Sequence, residues 1–288
     1  MTDYCTLAQV REENKSRSTD TDDDPQLRRY IRQVSRRIDS YMGRKTRPVF
    51  APYLESRQFL INSRVVDSLY NTFLMRDYCL DLTSVERGST DITAYVELYN
   101  PYNTVAQGLR ITSWYTSWYS ETSCSADSPP PFVTVDGVWG WHEDYDNAWD
   151  HVDDVQDVGG INAAVTTITV ANADGADLNG FIPRFSEGNL IKIDDEFMDV
   201  VAVDTTDNEL TVRRAVNGTT AAAHALNADI STYQVDERIN RVAIRQAALL
   251  YARRGAYQVE SMDGVGVVSY PQDLLSELRA VVQEFQYG

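Results

Sequence analysis

Lysine is almost missing from this chain: three residues, Lys15, Lys45 and Lys192, against 23 arginines. Glutamate is also scarce beside aspartate, 14 against 29, and the formal charge is −17. Such a charge keeps neighbouring molecules apart where salt screens strongly. The skew therefore fits a high-salt host, although a GC-rich genome favours arginine over lysine in the same way. An acidic chain is a poor general binder of nucleic acid. Cysteine is nearly lacking too. Cys5, Cys79 and Cys124 are odd in number, far apart and in no CxxC pair, which argues against a disulfide framework or a zinc site and for idle or buried thiols. Long apolar runs are missing: nothing approaches the roughly 20 residues of a membrane-spanning helix. The opening MTDYCTLAQVREEN is polar and lacks the apolar centre of a signal peptide, so the expectation is an intracellular product or a particle component without membrane contact.

The motifs of common chemistry are missing as well. There is no GxSxG, P-loop or GxGxxG. Residues 142–154 gather His142, Glu143, Asp144, Asp146, Asp150, His151, Asp153 and Asp154. Paired carboxylates serve sugar hydrolysis and His with Asp binds metals, but the spacing matches no HExxH and no calcium loop. A solvated acidic connector is the simpler reading. His224 in TTAAAHA has no obvious partner and reads as a turn or packing residue. Trp114, Tyr115, Trp118, Tyr119, Trp139, Trp141 and Trp149 form either a sugar platform or, more ordinarily, the core of a β-layer or an interface. No cofactor and no enzymatic activity are expected.

What is present is an order of elements. A short helix over 5–15 precedes the acidic loop SRSTDTDDD. Asp24 then Pro25 reads as a helix start. Leu27, Tyr30, Ile31, Val34, Ile38, Tyr41 and Met42 fall within a stripe about 120° wide, and Gly43 fits the C-terminal cap. Eight of the 26 basic residues lie between Arg28 and Arg47, with one acid, Asp39. Arg28, Arg29, Arg32, Arg36 and Arg37 cover the polar side of the helix, which suits a solvated face or docking against acidic neighbours. Residues 55–140 alternate like strands, and FVTVDGVWGW reads as a hairpin turning at Asp136-Gly137. Residues 161–234 form a self-contained β pattern, a small barrel or sandwich. A helix returns at Asp236, and another after Pro271 carries Leu274, Leu275, Leu278, Val281, Val282 and Phe285.

This order resembles the head–tail connector, or adaptor, family of long-tailed phages and related archaeal tailed viruses. The family's first long helix looks like D-D-x-L-x-x-x-I-x-x-A-S-x-x-I-x-x-Y-x-G-R. Asp24, Leu27, Ile31, Ser35, Ile38, Tyr41, Gly43 and Arg44 stand at those places, with Val34 replacing the small residue. Trp139-Gly140 and QAALLYARR are similar to later parts of the pattern. The resemblance covers about residues 3–141 and 236–288; 161–234 departs from small members and looks like a β-module found in phage structural proteins.

The resemblance implies an α+β fold: a helical adaptor core with a β-rich middle region and an inserted small all-β domain. Its expected parts are 1–158, 159–234 and 235–288, the last completing the adaptor domain. It implies a non-enzymatic virion protein at the neck, assembled in host cytoplasm as a dodecameric ring of copies of itself. Its partners would be the portal protein and a downstream neck, stopper or tail protein, and genomic DNA would pass the lumen without sequence-specific binding. In such a ring Arg28, Arg29, Arg32, Arg36 and Arg37 would form an inter-subunit electrostatic face. Leu275, Leu278, Val282 and Phe285 would contact the portal. The competing readings are a glycan-binding or glycan-cleaving virion protein using the tryptophans with Asp146 and Asp150, and another neck or tail-completion protein.

Overall fold

The computed structural model describes residues 2–15, 21–43, 47–61, 66–67, 71–100, 105–112, 118, 132–177, 180, 182–253 and 276–286. The chain divides into two compact units, Val49–Tyr145 and the remainder, Met1–Pro48 with Asp146–Gly288.

The first of these, Val49–Tyr145, is a seven-stranded antiparallel sheet. Its path is β1 (Tyr53–Leu60), β7 (Phe132–Trp139), β3 (Thr72–Arg87), β6 (Ala106–Ile111) and β5 (Val96–Tyr99). The short strands β2 (Val66–Asp67) and β4 (Thr90–Asp91) pair with β3. β1 and β7 run in unbroken register from Tyr53↔Trp139 to Leu60↔Phe132. Alternate residues of β7 are buried, so Val133, Val135 and Trp139 join Phe73, Leu109 and Trp118 in one core. The expected hairpin at Asp136-Gly137 is corrected here. Both residues lie in mid-strand, paired with Ser56 and Glu55 on one side and with β3 on the other. Gly137 serves close approach rather than turning, because a Cβ there would sit 2.5 Å from the Asp81 carbonyl oxygen.

Among the described residues, the second unit combines a six-stranded antiparallel sheet with four helices. The strand order is β8 (Trp149–Asp154), β13 (Asp229–Tyr233), β10 (Leu190–Ile193), β11 (Glu196–Asp204), β12 (Glu209–Arg213) and β9 (Thr167–Thr169). The two ends of this order meet. Gln156 N–H donates to the Thr169 carbonyl at 2.8 Å, and the Asp157 carboxylate accepts the Thr169 N–H and hydroxyl at 2.9 and 3.1 Å. The sheet thereby closes into a barrel around Val152, Ile168, Phe185, Ile191, Met198, Leu210 and Ile230. β8 belongs to this sheet and lies before residue 159, where the sequence pattern placed the start of the inserted domain.

The helices are α1 (Leu7–Glu13), α2 (Asp24–Tyr41), α3 (Glu237–Ala252) and α4 (Ser276–Gln286). α3 packs against each of the other three. α2 starts one residue earlier than Asp24-Pro25 suggested: Asp23 is the N-cap position, without a side-chain cap bond. The Asp24 carboxylate is held by Arg11, whose Nε and Nη2 donate at 2.8 and 2.7 Å. Gly43, at φ +75°, ends the helix as expected.

The expected fold class is overturned. The protein is predominantly β, with two antiparallel sheets of seven and six strands and four helices among the described residues, of which 25% are helical and 35% strand. The physical reason is that each sheet carries its own apolar core. The helices bury one stripe each, with α3 packed against the other three, and make up the smaller share of the described residues. The strand patterns over 55–140 and 161–234 cover more of the chain than the helical ones.

Candidate functional site

The exposed side of α2 is the strongest candidate for a functional surface. Its apolar stripe faces inward, with Leu27, Ile31, Val34 and Ile38 buried. Ser35 is buried among them, accepting the Tyr4 N–H at 2.9 Å and donating to the Ile31 carbonyl at 3.0 Å. Tyr4 in turn donates its hydroxyl to Asp39. The single acid in the arginine-rich stretch is thus turned inward, which leaves the outer side of the helix basic.

The five arginines do not share one role. Arg28 pairs with Glu187 in the loop before β10, tying helix to barrel. Burial pushes the Glu187 carboxyl up, and Arg28 pulls it down. Arg37 is half-buried. Arg29, Arg32 and Arg36 are exposed, and among the described residues none of them has an ion pair. Their spacing of i, i+3 and i+7 makes a ribbon about 10 Å long on one side of the helix. Arg32 also lies near the buried carboxyl of Asp3, whose pKa is raised to about 6. Burial is the main cause, with Asp199 adding to it, while Arg32, the chain's amino terminus and Arg213 pull the other way. The structure therefore separates a positioning arginine, Arg28, from a three-arginine ribbon that presents charge to solvent.

α4 uses its apolar face internally. Leu278, Val282 and Phe285 are buried, and the helix packs against α3. The Arg238 guanidinium lies 5.0 Å from the Phe285 ring centre, and Arg245 pairs with Glu277 at 2.8 Å. Leu275 lies outside the described residues.

The described tryptophans are also occupied. Trp118 and Trp139 are core residues whose indole N–H groups donate to Asn71 and Glu55 carbonyls at 2.9 and 2.8 Å. Trp141 packs edge-on to Phe50. Trp149, in the barrel unit, stacks on Phe197. Trp114, Tyr115 and Tyr119 lie outside the described residues. Asp146 is exposed, and Asp150 lies on β8 opposite Thr232.

One constellation was missed in the sequence. His224 is buried between two carboxylates: Nδ1 is 2.7 Å from Asp194 and Nε2 is 3.0 Å from Glu196. Glu196 also accepts from Arg214 through two bonds at 2.8 and 2.7 Å, and from the N–H groups of Ala215 and Ala222. Arg214 donates onward to the carbonyls of Asn162, Val165 and Ala222. Burial pushes the Glu196 carboxyl up, but the bonds from Arg214, Ala222, His224 and Ala215 outweigh it and hold the pKa at about 2. These groups bond loop to barrel on every side, so the constellation fixes the 214–224 loop.

Compared with known protein families, the chain matches no family model. A comparison with curated proteins gives no match either.

Proposed function

We propose that this chain is a structural virion protein, a head–tail adaptor that assembles with copies of itself beneath the portal and joins capsid to tail. The observation that carries the reading is the division of labour on α2. The helix bears the residues that resemble the adaptor motif, its motif positions Leu27, Ile31, Ser35 and Ile38 are buried, and Arg29, Arg32 and Arg36 form an exposed basic ribbon on a chain of charge −17. Complementary charge of this kind sets orientation and register more than raw affinity. The acidic remainder suits a conduit that repels DNA passing through it. The helical core of the family pattern is no part of this proposal.

The test is charge reversal at the ribbon. Arg29→Glu, Arg32→Glu and Arg36→Glu together should leave a folded monomer, because all three side chains are exposed, and should block assembly into particles. A cryo-EM map of the neck of the virus that encodes the chain reads the same proposal directly. A ring beneath the portal built from another protein, or normal particles from the triple variant, would remove it.

A further inference from the structure

We propose that His151, Asp154 and Asp229 form a binding site for a divalent transition-metal ion on the outer face of the barrel. His151 and Asp154 belong to β8 and Asp229 begins β13, the strand paired with it. Residues three apart on a regular strand point to opposite faces. Here the register passes from Ile230↔Asp153 to Ser231↔His151, leaving Val152 as an extra residue, a β-bulge. Bulges re-aim side chains. This one turns Val152 into the core and brings His151 and Asp154 to the same outward face, beside Asp229.

The ligand atoms lie close enough together for one ion to reach all three. His151 Nε2 lies 3.0 Å from Asp154 Oδ1 and 3.8 Å from Asp229 Oδ1, and the three atoms all lie within 4.8 Å of one another. With metal–ligand bonds of about 2.1 Å, neighbouring ligands stand about 3.0 Å apart in an octahedron and about 3.4 Å in a tetrahedron. Asp154 is already at such an edge, and a small rotation of the Asp229 side chain completes the face. The charge also suits a cation: among the described residues neither Asp154 nor Asp229 has an arginine or lysine partner, whereas the neighbouring Asp153 is satisfied by Arg184 at 2.7 Å. One imidazole with two carboxylates selects zinc- or manganese-type ions over magnesium, which favours all-oxygen, largely hydrated sites. A bound ion would pin β8 to β13 across the bulge.

Titration calorimetry of the untagged full-length chain tests this, with Zn²⁺, Mn²⁺ and Mg²⁺ each added alone. The expected result is one equivalent of Zn²⁺ or Mn²⁺ bound, with Mg²⁺ at least tenfold weaker. His151→Ala and Asp229→Asn should each weaken binding at least tenfold, while Asp204→Asn, an exposed acid elsewhere on the barrel, leaves it unchanged. The His151 and Asp229 side chains are 51% and 81% exposed, so both variants should fold, which circular dichroism verifies. No saturable heat at millimolar metal would overturn the site, as would binding that survives both substitutions.

Discussion

Replacing Glu196 with glutamine tests whether the barrel depends on its buried ion pair. The two carboxylate oxygens accept five hydrogen bonds: two from Arg214, one each from the N–H groups of Ala215 and Ala222, and one at His224. An amide of the same shape would turn an NH₂ group toward donors and leave the Arg214 side chain, 6% exposed, without its counter-charge. Removing one partner of a buried pair costs about 3–5 kcal/mol. At about 2–4 °C per kcal/mol for domains of this size, the transition of the barrel unit should fall by roughly 6–20 °C in scanning calorimetry. The pH profile gives a second readout. The folded pKa, about 2, lies below the ordinary 4.5. The stabilisation is therefore complete above pH 4.5 and is lost as pH falls toward 2, on the order of 3 kcal/mol in all. The glutamine variant should lack that acid-side loss. A fall of less than about 1 kcal/mol, with an unchanged acid profile, would refute the reasoning and mean that water reaches the pair.

Three further outcomes follow from the structure. Asp3 is raised from 3.8 to about 6, so its contribution is complete below pH 3.8 and lost as pH rises through about 6; Asp3→Asn should stabilise the protein at pH 7 by about 2–3 kcal/mol, and a destabilised variant in urea unfolding would contradict this. Gly137→Ala should cost roughly 1–3 kcal/mol, because its methyl group meets the Asp81 backbone; a neutral result in thermal melts would contradict that close approach. Raising salt from about 0.1 M to 1 M shortens the Debye length from about 10 to 3 Å and should raise the melting temperature of a chain of charge −17; equal melting at both would remove the high-salt reading.

The helices were legible because each signal was local. The stripe from Leu27 to Ile38 and the stop at Gly43 both depend on residues a few positions apart. The strands were legible as strands, but their partners were not. β1 pairs with β7 across some 80 residues and β8 with β13 across a similar gap, and nothing in either strand alone names its partner. The Asp136-Gly137 error has the same origin. A glycine beside an aspartate signals a turn when only its neighbours are known, but here the glycine answers to Asp81 on another strand.

The basic stretch shows the same limit at the candidate surface. Sequence periodicity put five arginines on the polar side of α2 and gave no reason to divide them. The division comes from groups distant in sequence: Glu187 takes Arg28, and Tyr4 holds Asp39 inside. His224 shows the converse. It looked partnerless because its partners, Asp194 and Glu196, come from a hairpin some 30 residues earlier, and barrel closure is what brings them within reach. A surface formed by one helix can therefore be listed from its sequence, but which of its charges remain available to a partner is decided by residues distant in sequence, here Glu187 and Tyr4. For this chain that reasoning selects Arg29, Arg32 and Arg36 as the residues whose reversal should reach assembly without first reaching the fold.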